Sequence, residues 1–283
     1  MMATYVRNWL LEVLGNEETR PARTAPTPEH DRNGFHLNAT DTARSPALIT
    51  IITTVLNGEK FLESTLLSVI AQKSRAPVKY IVVDGGSSDG TLDVIKKYAY
   101  AIDHWISEPD QGIYDAMNKG WQLAGENSFI LFLGAGDKIL TLPAVHHLSG
   151  DEVVFGRVFF NGKHPFVCRA GFLLRITNTL HHQALLVHKK LQHSPPFDTQ
   201  FRTYADFDFN QRLLKKKVTF VHSPDFSAYA LPGGFSGRFN VAESLRVVKK
   251  NFGFIHAAFG YFYHLYSLAL KNLRWIKQQL WRN

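Results

Sequence analysis

An α/β protein with a mostly parallel central sheet and flanking helices is predicted by two observations. From residue 48 to residue 133, apolar runs of strand length alternate with segments of helical periodicity. A parallel sheet with right-handed crossovers requires that order. Two of the runs also end in acids: residues 80–89 read YIVVDGGSSD and residues 129–137 read FILFLGAGD. Buried parallel strands that deliver Asp84 and Asp137 at their C-terminal ends put both carboxylates where open α/β sheets bind ligands. A nucleotide–metal site needs such a pair.

The elements follow in order. Residues 48–56 are almost continuously apolar and β-branched, as for a strand buried on both faces. Asn57 and Gly58 break the run. Phe61, Leu62, Thr65, Leu66, Val69 and Ile70 then recur at helical spacing. A second strand over 79–83 leads into the acid-glycine loop, and Asp89 is placed to cap a helix over 91–100. Residues 104–107 form a third strand. Residues 113–124 form a helix with Ile113, Met117, Trp121 and Ala124 on one face, and 129–133 are the fourth strand. Beyond Leu140 the pattern is irregular. Short strands are expected at 153–155, 158–160, 166–168 and 184–187, a helix at 204–216 and a strand at 218–222.

Three regions emerge from the 283 residues. Residues 1–46 read as a flexible extension, rich in Pro, Thr, Asn and charge after a short amphipathic piece over 5–14. Residues 47–237 carry the α/β pattern. Residues 238–283 read as a basic, aromatic, helical segment. There, Phe259, Phe262, Tyr266, Ala269, Leu273, Ile276 and Leu280 form a seam, with Lys271, Arg274, Gln278 and Arg282 on another face. Residues 252–270 contain no Asp, Glu, Lys or Arg, a length that invites comparison with a membrane span. His256, His264, two glycines and the tyrosines favour an interface instead.

The formal charge of +8 sits mostly in this last region, where eight Lys or Arg face the single acid Glu243, a net +7. Such a tail points to an anionic surface, a membrane above all, or else to a solvated helix face. Nucleic acid is not expected, because the basic residues do not cover the acid-bearing strand ends. The single cysteine, Cys168, excludes an intramolecular disulfide and any multi-cysteine metal site, and fits a reducing compartment. No basic-then-apolar leader opens the chain, so secretion is not expected.

Several polar residues are candidates for chemistry, each with a plainer alternative. Asp84, followed by Gly85, can accept hydrogen bonds from a ribose hydroxyl or a base N–H, or can simply stabilise its turn. Asp137 follows Gly134, Ala135 and Gly136, small residues that let a diphosphate approach, and can hold Mg²⁺ or Mn²⁺ on two phosphates; alternatively it is a turn acid. In the run 107–119, Gly112 and the start of the helix can face phosphate. Asp110, Asp115 and Lys119 can meet sugar or phosphate, although Asp115 also suits the helix dipole. His181 and His182 precede a strand, where neighbours point to opposite faces, so joint metal ligation is rejected and His182 alone is expected at a site. Asp206 and Asp208 open a helix two residues apart. Asp206 is the candidate general base, with Asp208 capping or solvated.

Taken in order, these segments resemble the family 2 glycosyltransferases with the GT-A fold. The resemblance rests on Thr53 to Gly58 with Leu62, Ser68 and Gln72; Val83 to Thr91; Ser107 to Gly120; Leu133 to Asp137; His182 and Gln183; Asp206 to Asp208; and Gly233 to Ser236. Together they span roughly residues 48–237, and the run 107–119 is similar to bacterial members that build exopolysaccharide or O-antigen. The resemblance implies an inverting transfer from a nucleoside-diphosphate sugar to a saccharide or lipid-linked acceptor. Asn57, Asp84, Gly85, Asp110, Gly112, Asp115, Lys119, Gly136 and His182 would contact the donor. Asp137 would hold a divalent metal, and Asp206 would take the acceptor proton. Residues 233–236 would belong to a closing loop. Gly134 and Ala205 stand where the family often has acids. The Gln-x-x-Arg-Trp signature of processive synthases is absent, so single additions are expected.

The expected setting is cytoplasmic, peripheral at the inner face of the plasma membrane, with the C-terminal segment on anionic lipid. A dimerisation helix is the rival use of that segment. The rival functions are a nucleotidyltransferase, disfavoured because the loop after the first strand is neither glycine-rich nor basic, and a non-catalytic nucleotide-sugar or polyanion binder.

Overall fold

β1 (Leu48–Val55) is the centre of a parallel half-sheet, with seven of its eight residues buried. β2 (Val78–Asp84) and β4 (Ser128–Gly134) flank it in parallel, and β3 (His104–Ser107) pairs with β2. The computed structural model describes residues 48–160, 165–233 and 240–280, with the side chains of residues 271 and 274–280 left out. The extension over 1–46, residues 234–236 of the glycine loop, and Lys271, Arg274, Ile276, Gln278, Leu280 and Arg282 of the C-terminal seam and its basic face therefore lie outside the described side chains.

Register decides where a site can form. Val55 lies opposite Asp84, Thr54 opposite Gly134, and Asp84 opposite Ser107. Adjacent parallel strands thus end on one line, and the loops after them open side by side. Helices α1 (Glu59–Lys73), α2 (Thr91–Lys97) and α3 (Ile113–Leu123) make the crossovers. The second of these ends earlier than the expected residue 100 and continues as a 3-10 turn over Ala99–Ala101. Asp89 accepts the Thr91 N–H at 3.0 Å and also the Glu59 N–H at 3.1 Å, so one carboxylate serves the starts of two helices.

The second half of the sheet is mixed, and there the expectation of parallel pairing gives way. With β5 (Lys138–Thr141), β6 (Glu152–Phe159), β8 (Leu185–His188) and β9 (Thr219–Tyr229), the strand order is β3-β2-β1-β4-β8-β6-β9-β5, and β7 (Phe166–Val167) is paired to β6. β8 runs antiparallel to both β4 and β6. β9 is parallel to β6 and antiparallel to β5. The two strands expected at 153–155 and 158–160 are one strand with a register shift between Phe155 and Arg157. Gly156 interrupts the apolar run because a side chain there would overlap the Phe226 carbonyl. β9 continues seven residues past the expected end at 222, carried across Pro224 and Asp225 by the same irregularity.

The C-terminal segment is two helices, α5 (Val241–Phe252) and α6 (Phe254–Leu280), separated at Gly253 with φ 85°. Asn240 caps α5 by accepting the Glu243 N–H at 3.0 Å. α5 locks onto α4 (Ala205–Lys215) through Asp208. That carboxylate is fully buried, takes hydrogen bonds from Arg212 Nε and Asn251 Nδ2, each at 2.9 Å, and pairs with Lys250 at 3.0 Å. Asp208 is therefore an internal tie rather than a cap or a solvated acid. No helix among the described residues is long and apolar enough to cross a membrane.

Candidate active site

A cleft of about 620 Å³ opens beyond the C-terminal ends of β1 and β4. Thr54 and Val55 come to it from β1, and Gly134, Ala135 and Asp137 from the turn after β4. Asp110 and Gly112 come from the loop before α3, His181, His182 and Gln183 from the segment before β8, and Ala230 to Gly233 from the end of β9. The volume suits a ligand of nucleotide size.

Asp137 is held by three protein donors. Its Oδ2 accepts the Gly134 N–H at 2.8 Å and Gln183 Nε2 at 3.2 Å, and its Oδ1 accepts the Leu231 N–H at 2.9 Å. One carboxylate thus joins the β4 turn, the His182 turn and the strand end after β9. Gly136 makes the turn possible: its φ is 96°, and a side chain there would run into Leu231. An ionised carboxylate has about four acceptor sites, so Asp137 keeps room for a cation.

Asp84 lies behind the cleft. It is fully buried, and its carboxylate accepts Ser87 N–H at 3.1 Å, the Ser87 hydroxyl, and the Ser107 hydroxyl at 2.6 Å. Gly85 is the contact through which this acid loop meets Asp110, since a side-chain carbon at 85 would overlap the Asp110 carboxylate. Asp110 accepts the Gly112 N–H at 2.8 Å. Asn57, in a left-handed conformation with φ 50°, bonds Ser87 and Ser88 and so ties the loop after β1 to the acid loop.

Asp115 and Lys119 brace the same loop from α3. Asp115 accepts the Gln111 N–H at 3.0 Å, and Lys119 donates to the Pro109 carbonyl and pairs with Glu108, both at 2.9 Å. The Glu108 bond raises the Lys119 pKa against the opposing effect of burial. Of the sequence-selected residues, Asp110, Gly112, Asp137 and His182 line the cleft, while Asn57, Asp84, Gly85, Asp115, Lys119 and Gly136 shape the loops that carry them.

His182, Gln183 and Ala184 form a 3-10 turn, and β8 begins only at Leu185. Strand alternation therefore does not apply at 181–183, and both histidines reach the same cleft. Burial pushes the His181 imidazole down to about 4. No group of three or more His, Cys, Asp or Glu suited to a metal occurs among the described residues.

Asp206 stands behind His182, facing a small space walled by Ile130, Phe132, Phe197 and Phe209. The His182 Nδ1 is 3.6 Å from Asp206 Oδ2. Asp206 Oδ1 accepts the Phe207 N–H at 2.8 Å, and the Tyr114 hydroxyl stands 3.0 Å from it and 2.7 Å from the Thr203 carbonyl. Burial works to raise the Asp206 pKa, but the neighbouring His182, the Phe207 N–H and His181 outweigh it and hold the carboxyl below its usual value. Tyr114 is a supporting residue that sequence reasoning did not single out, and Gln183, named there only in the resemblance, was given no role. Tyr114 sits among the apolar positions of α3, where only its contact across 92 residues reveals its role.

The site thus gathers acids and small residues at the ends of parallel strands, with the Asp206 carboxylate at a helix start behind His182. The family model for glycosyl transferase family 2 matches residues 50–141. A PGL/p-HBAD biosynthesis glycosyltransferase of Mycobacterium bovis (strain BCG / Pasteur 1173P2) is 32% identical over 181 residues, covering 59% of this chain and 70% of the relative. An uncharacterized glycosyltransferase of Mycobacterium tuberculosis (strain CDC 1551 / Oshkosh) is 34% identical over 122 residues, 43% of each chain. The chain belongs to glycosyltransferase family 2.

Solved structures agree on the GT-A fold. Residues 1–349 of S. aureus TarS in complex with UDP superpose with a TM-score of 0.54 at 18% identity, over 72% of this chain and 65% of that one. The mannosyltransferase PcManGT from Pyrobaculum calidifontis, in complex with GDP-Man and Mn²⁺, gives 0.51 at 18% identity over 83% and 66%.

Proposed function

We propose that this chain is an inverting hexosyltransferase that moves a single sugar from a nucleoside-diphosphate sugar to a hydroxyl of a saccharide or lipid-linked acceptor in surface polysaccharide or glycolipid assembly. The observation that carries the reading is the placement of Asp137. It lies in a cleft of nucleotide size, clamped by three donors from three segments, with Asp110 and Gly112 along the same cleft and the His182–Asp206 pair beside it. The PGL/p-HBAD relative supports a glycolipid acceptor, and the UDP and GDP-Man complexes of the fold neighbours support a nucleoside-diphosphate donor.

The donor set at the cleft fits one hard cation. Mg²⁺ and Mn²⁺ are commonly held by one or two carboxylates with phosphate oxygens and water completing the shell, and Asp137 supplies the carboxylate. A bound cation would act as a Lewis acid that offsets charge on the leaving diphosphate. The chain's own residues do the remainder. Gly112 opens α3 with its N-terminus toward the cleft, favourable for phosphate. Asp110 and the loops braced by Asn57, Asp84, Gly85, Asp115, Lys119 and Gly136 present the donor. Asp206 is the carboxylate that drives proton removal from the acceptor.

The setting we propose is cytoplasmic, peripheral at the inner face of the plasma membrane, with α6 on anionic lipid. Phe254, Ile255, Phe262, Leu265, Leu268 and Leu273 are exposed along that helix, in a region that carries a net +7.

Thermal stabilisation by UDP, GDP, dTDP and CDP, each with and without Mn²⁺, tests the core of this reading. A ligand of the folded state stabilises by about 2.7 kcal/mol at a hundredfold excess over its Kd. Stabilisation by one nucleotide, enhanced by Mn²⁺ and lost in Asp137→Ala, is expected. The absence of any shift would favour a polyanion binder.

A further inference from the structure

We propose that the rings of Phe160, Phe166 and His181 form an acceptor wall at the mouth of the cleft, built for an apolar aglycone, alkyl or aryl, joined close to the hydroxyl that receives the sugar. This deepens the transferase reading and rests on it. The wall stands on the acceptor side. β6 runs antiparallel to β8, and β8 antiparallel to β4, so β6 and β4 end at the same edge of the sheet. Phe160 directly follows β6 and lines the cleft together with His181. Asn57, Gly85 and Asp110 follow β1, β2 and β3, on one side of β4 and its Asp137 turn, whereas β6 lies on the other side, beyond β8. His181 is next in sequence to His182, whose Nδ1 is 3.6 Å from Asp206 Oδ2.

The three rings pack as one unit. Phe166 lies opposite Val158 in the β6–β7 pair, and Phe160 stands two residues beyond Val158, so the two phenyl rings share a face. His181 meets Phe166 edge-on, with ring centres 4.6 Å apart at 90°, and meets Phe160 at 5.3 Å and 72°. The phenyl rings are 6.5 Å apart. These contacts hold the rings without covering them, since Phe160 and Phe166 remain 36% and 37% exposed.

The chemistry of the wall selects its occupant. Phenyl side chains offer no hydrogen bond, so sugar hydroxyls laid against them would lose water without replacement. Burial pushes the His181 imidazole down to about 4, so the ring is uncharged at neutral pH and offers no positive charge to a phosphate. An apolar group gains from covering the exposed rings, and an aryl group adds offset or edge-on ring contacts. The closeness of His181 to His182 and Asp206 keeps that group near the reacting hydroxyl. The acceptor is therefore an aglycone, or one bearing a short glycan, rather than the far end of a long polysaccharide. The transfer is an early one, and the reaction before it is one that builds or first glycosylates the aglycone.

Saturation-transfer NMR on the full chain tests the wall with phenyl, octyl and methyl β-D-glucopyranoside, probes that differ only in the aglycone. Each is kept below any micellar concentration, with Mg²⁺ and with UDP, GDP, dTDP and CDP supplied in turn. The aglycone protons of the phenyl and octyl glucosides should receive the strongest saturation, and the methyl glucoside should bind at least about tenfold more weakly. Phe160→Ser with Phe166→Ser should weaken the two apolar glucosides about tenfold and leave the nucleotide-dependent melting shift unchanged. Phe160→Leu with Phe166→Leu keeps an apolar wall and should retain octyl binding; loss of phenyl binding alone in that variant would assign an aryl occupant. Should the serine pair melt early, Phe166→Ser alone serves the same comparison. Apolar binding that survives the serine pair lies elsewhere and overturns the proposal, as does a methyl glucoside that binds as tightly as the others. If it fails in either way while a nucleotide still raises the melting temperature, the transferase reading stands. If the apolar glucosides bind at the rings but no nucleotide stabilises the chain, the rings are not an acceptor site and the transferase reading falls.

Discussion

The Glu243 carboxylate of α5 accepts the backbone N–H groups of both Thr203 and Tyr204, at 2.6 and 2.9 Å. Those two residues lead directly into α4, the helix that opens with Asp206, so a side chain from the C-terminal segment fixes the start of the helix carrying the proposed base. Glu243 is itself buried. Glu243→Ala should leave two N–H groups without partners and cost about 2 kcal/mol, since each unsatisfied buried group costs about 1–3 kcal/mol. Urea unfolding should show a lower midpoint at unchanged slope. Turnover in stable preparations should fall further than nucleotide affinity, because Asp206 moves and Asp137 does not. An unchanged midpoint would show that the pair contributes nothing net.

Acid should destabilise the fold in part through His181. Burial holds its imidazole at about 4, below the ordinary value of 6.5. The unfolded chain therefore binds the extra proton between those values. The stability from keeping this ring neutral is fully present above pH 6.5 and lost as pH falls toward 4. A shift of that size corresponds to about 3 kcal/mol over the window. The unfolding free energy of the wild type, minus that of His181→Asn, should shrink by about that amount between pH 7 and pH 4. A pH-independent difference would mean that the ring is not buried in solution.

Parallel strands with apolar interiors and acid-bearing ends were legible in the sequence, because period and composition are local properties. β1 to β4 fall within one or two residues of expectation for that reason. The second half was not, because its pairings join distant segments. β5 is a four-residue strand whose partner β9 lies some ninety positions away, and nothing in Lys138 to Thr141 announces it. The site divides in the same way. Asp137 and Asp206 stand out as acids beside small or aromatic residues, but Gln183 on Asp137 and Tyr114 near Asp206 depend on contacts across 46 and 92 residues. The 3-10 turn at His182 defeated the alternation argument because it replaces the strand where two histidines were to diverge.

Gly136→Ala should damage the Asp137 clamp. A residue with a side chain at φ 96° carries a backbone penalty of roughly 1–2 kcal/mol, and the added carbon must also displace Leu231. Leu231 supplies one of the three hydrogen bonds to Asp137. The melting temperature should drop by roughly 2–8 °C from the backbone penalty alone, at about 2–4 °C per kcal/mol for a domain of this size. The Mn²⁺-dependent part of nucleotide stabilisation should fall with it. Full retention of that part would place the cation elsewhere.

The exposed face of α6 gives the last prediction. Phe254, Tyr261, Leu265 and Leu268 lie seven, four and three apart, on one stripe of the helix, and Ile255, Phe262, Tyr266 and Leu273 follow beside them; all eight are exposed. Ala257 and Gly260 are buried on the other side. Of the described seam residues, Phe262, Tyr266, Ala269 and Leu273 are exposed and point away from the protein body, while Phe259 is half-buried. An apolar face on a helix in a basic segment suits insertion at a lipid–water boundary, and each Lys or Arg near an anionic leaflet adds about 1 kcal/mol. The full chain should therefore sediment with vesicles containing about 30% anionic lipid and much less with neutral ones. High salt should weaken binding, since screening removes the electrostatic part. Replacing Phe262, Leu265 and Leu268 together by Ser should abolish it without changing the melting temperature, because these side chains are exposed. If the triple variant still sediments with vesicles, α6 is not the lipid contact. If the wild type instead forms a dimer that this variant dissolves and ignores vesicles of either kind, the face belongs to a second copy of the chain.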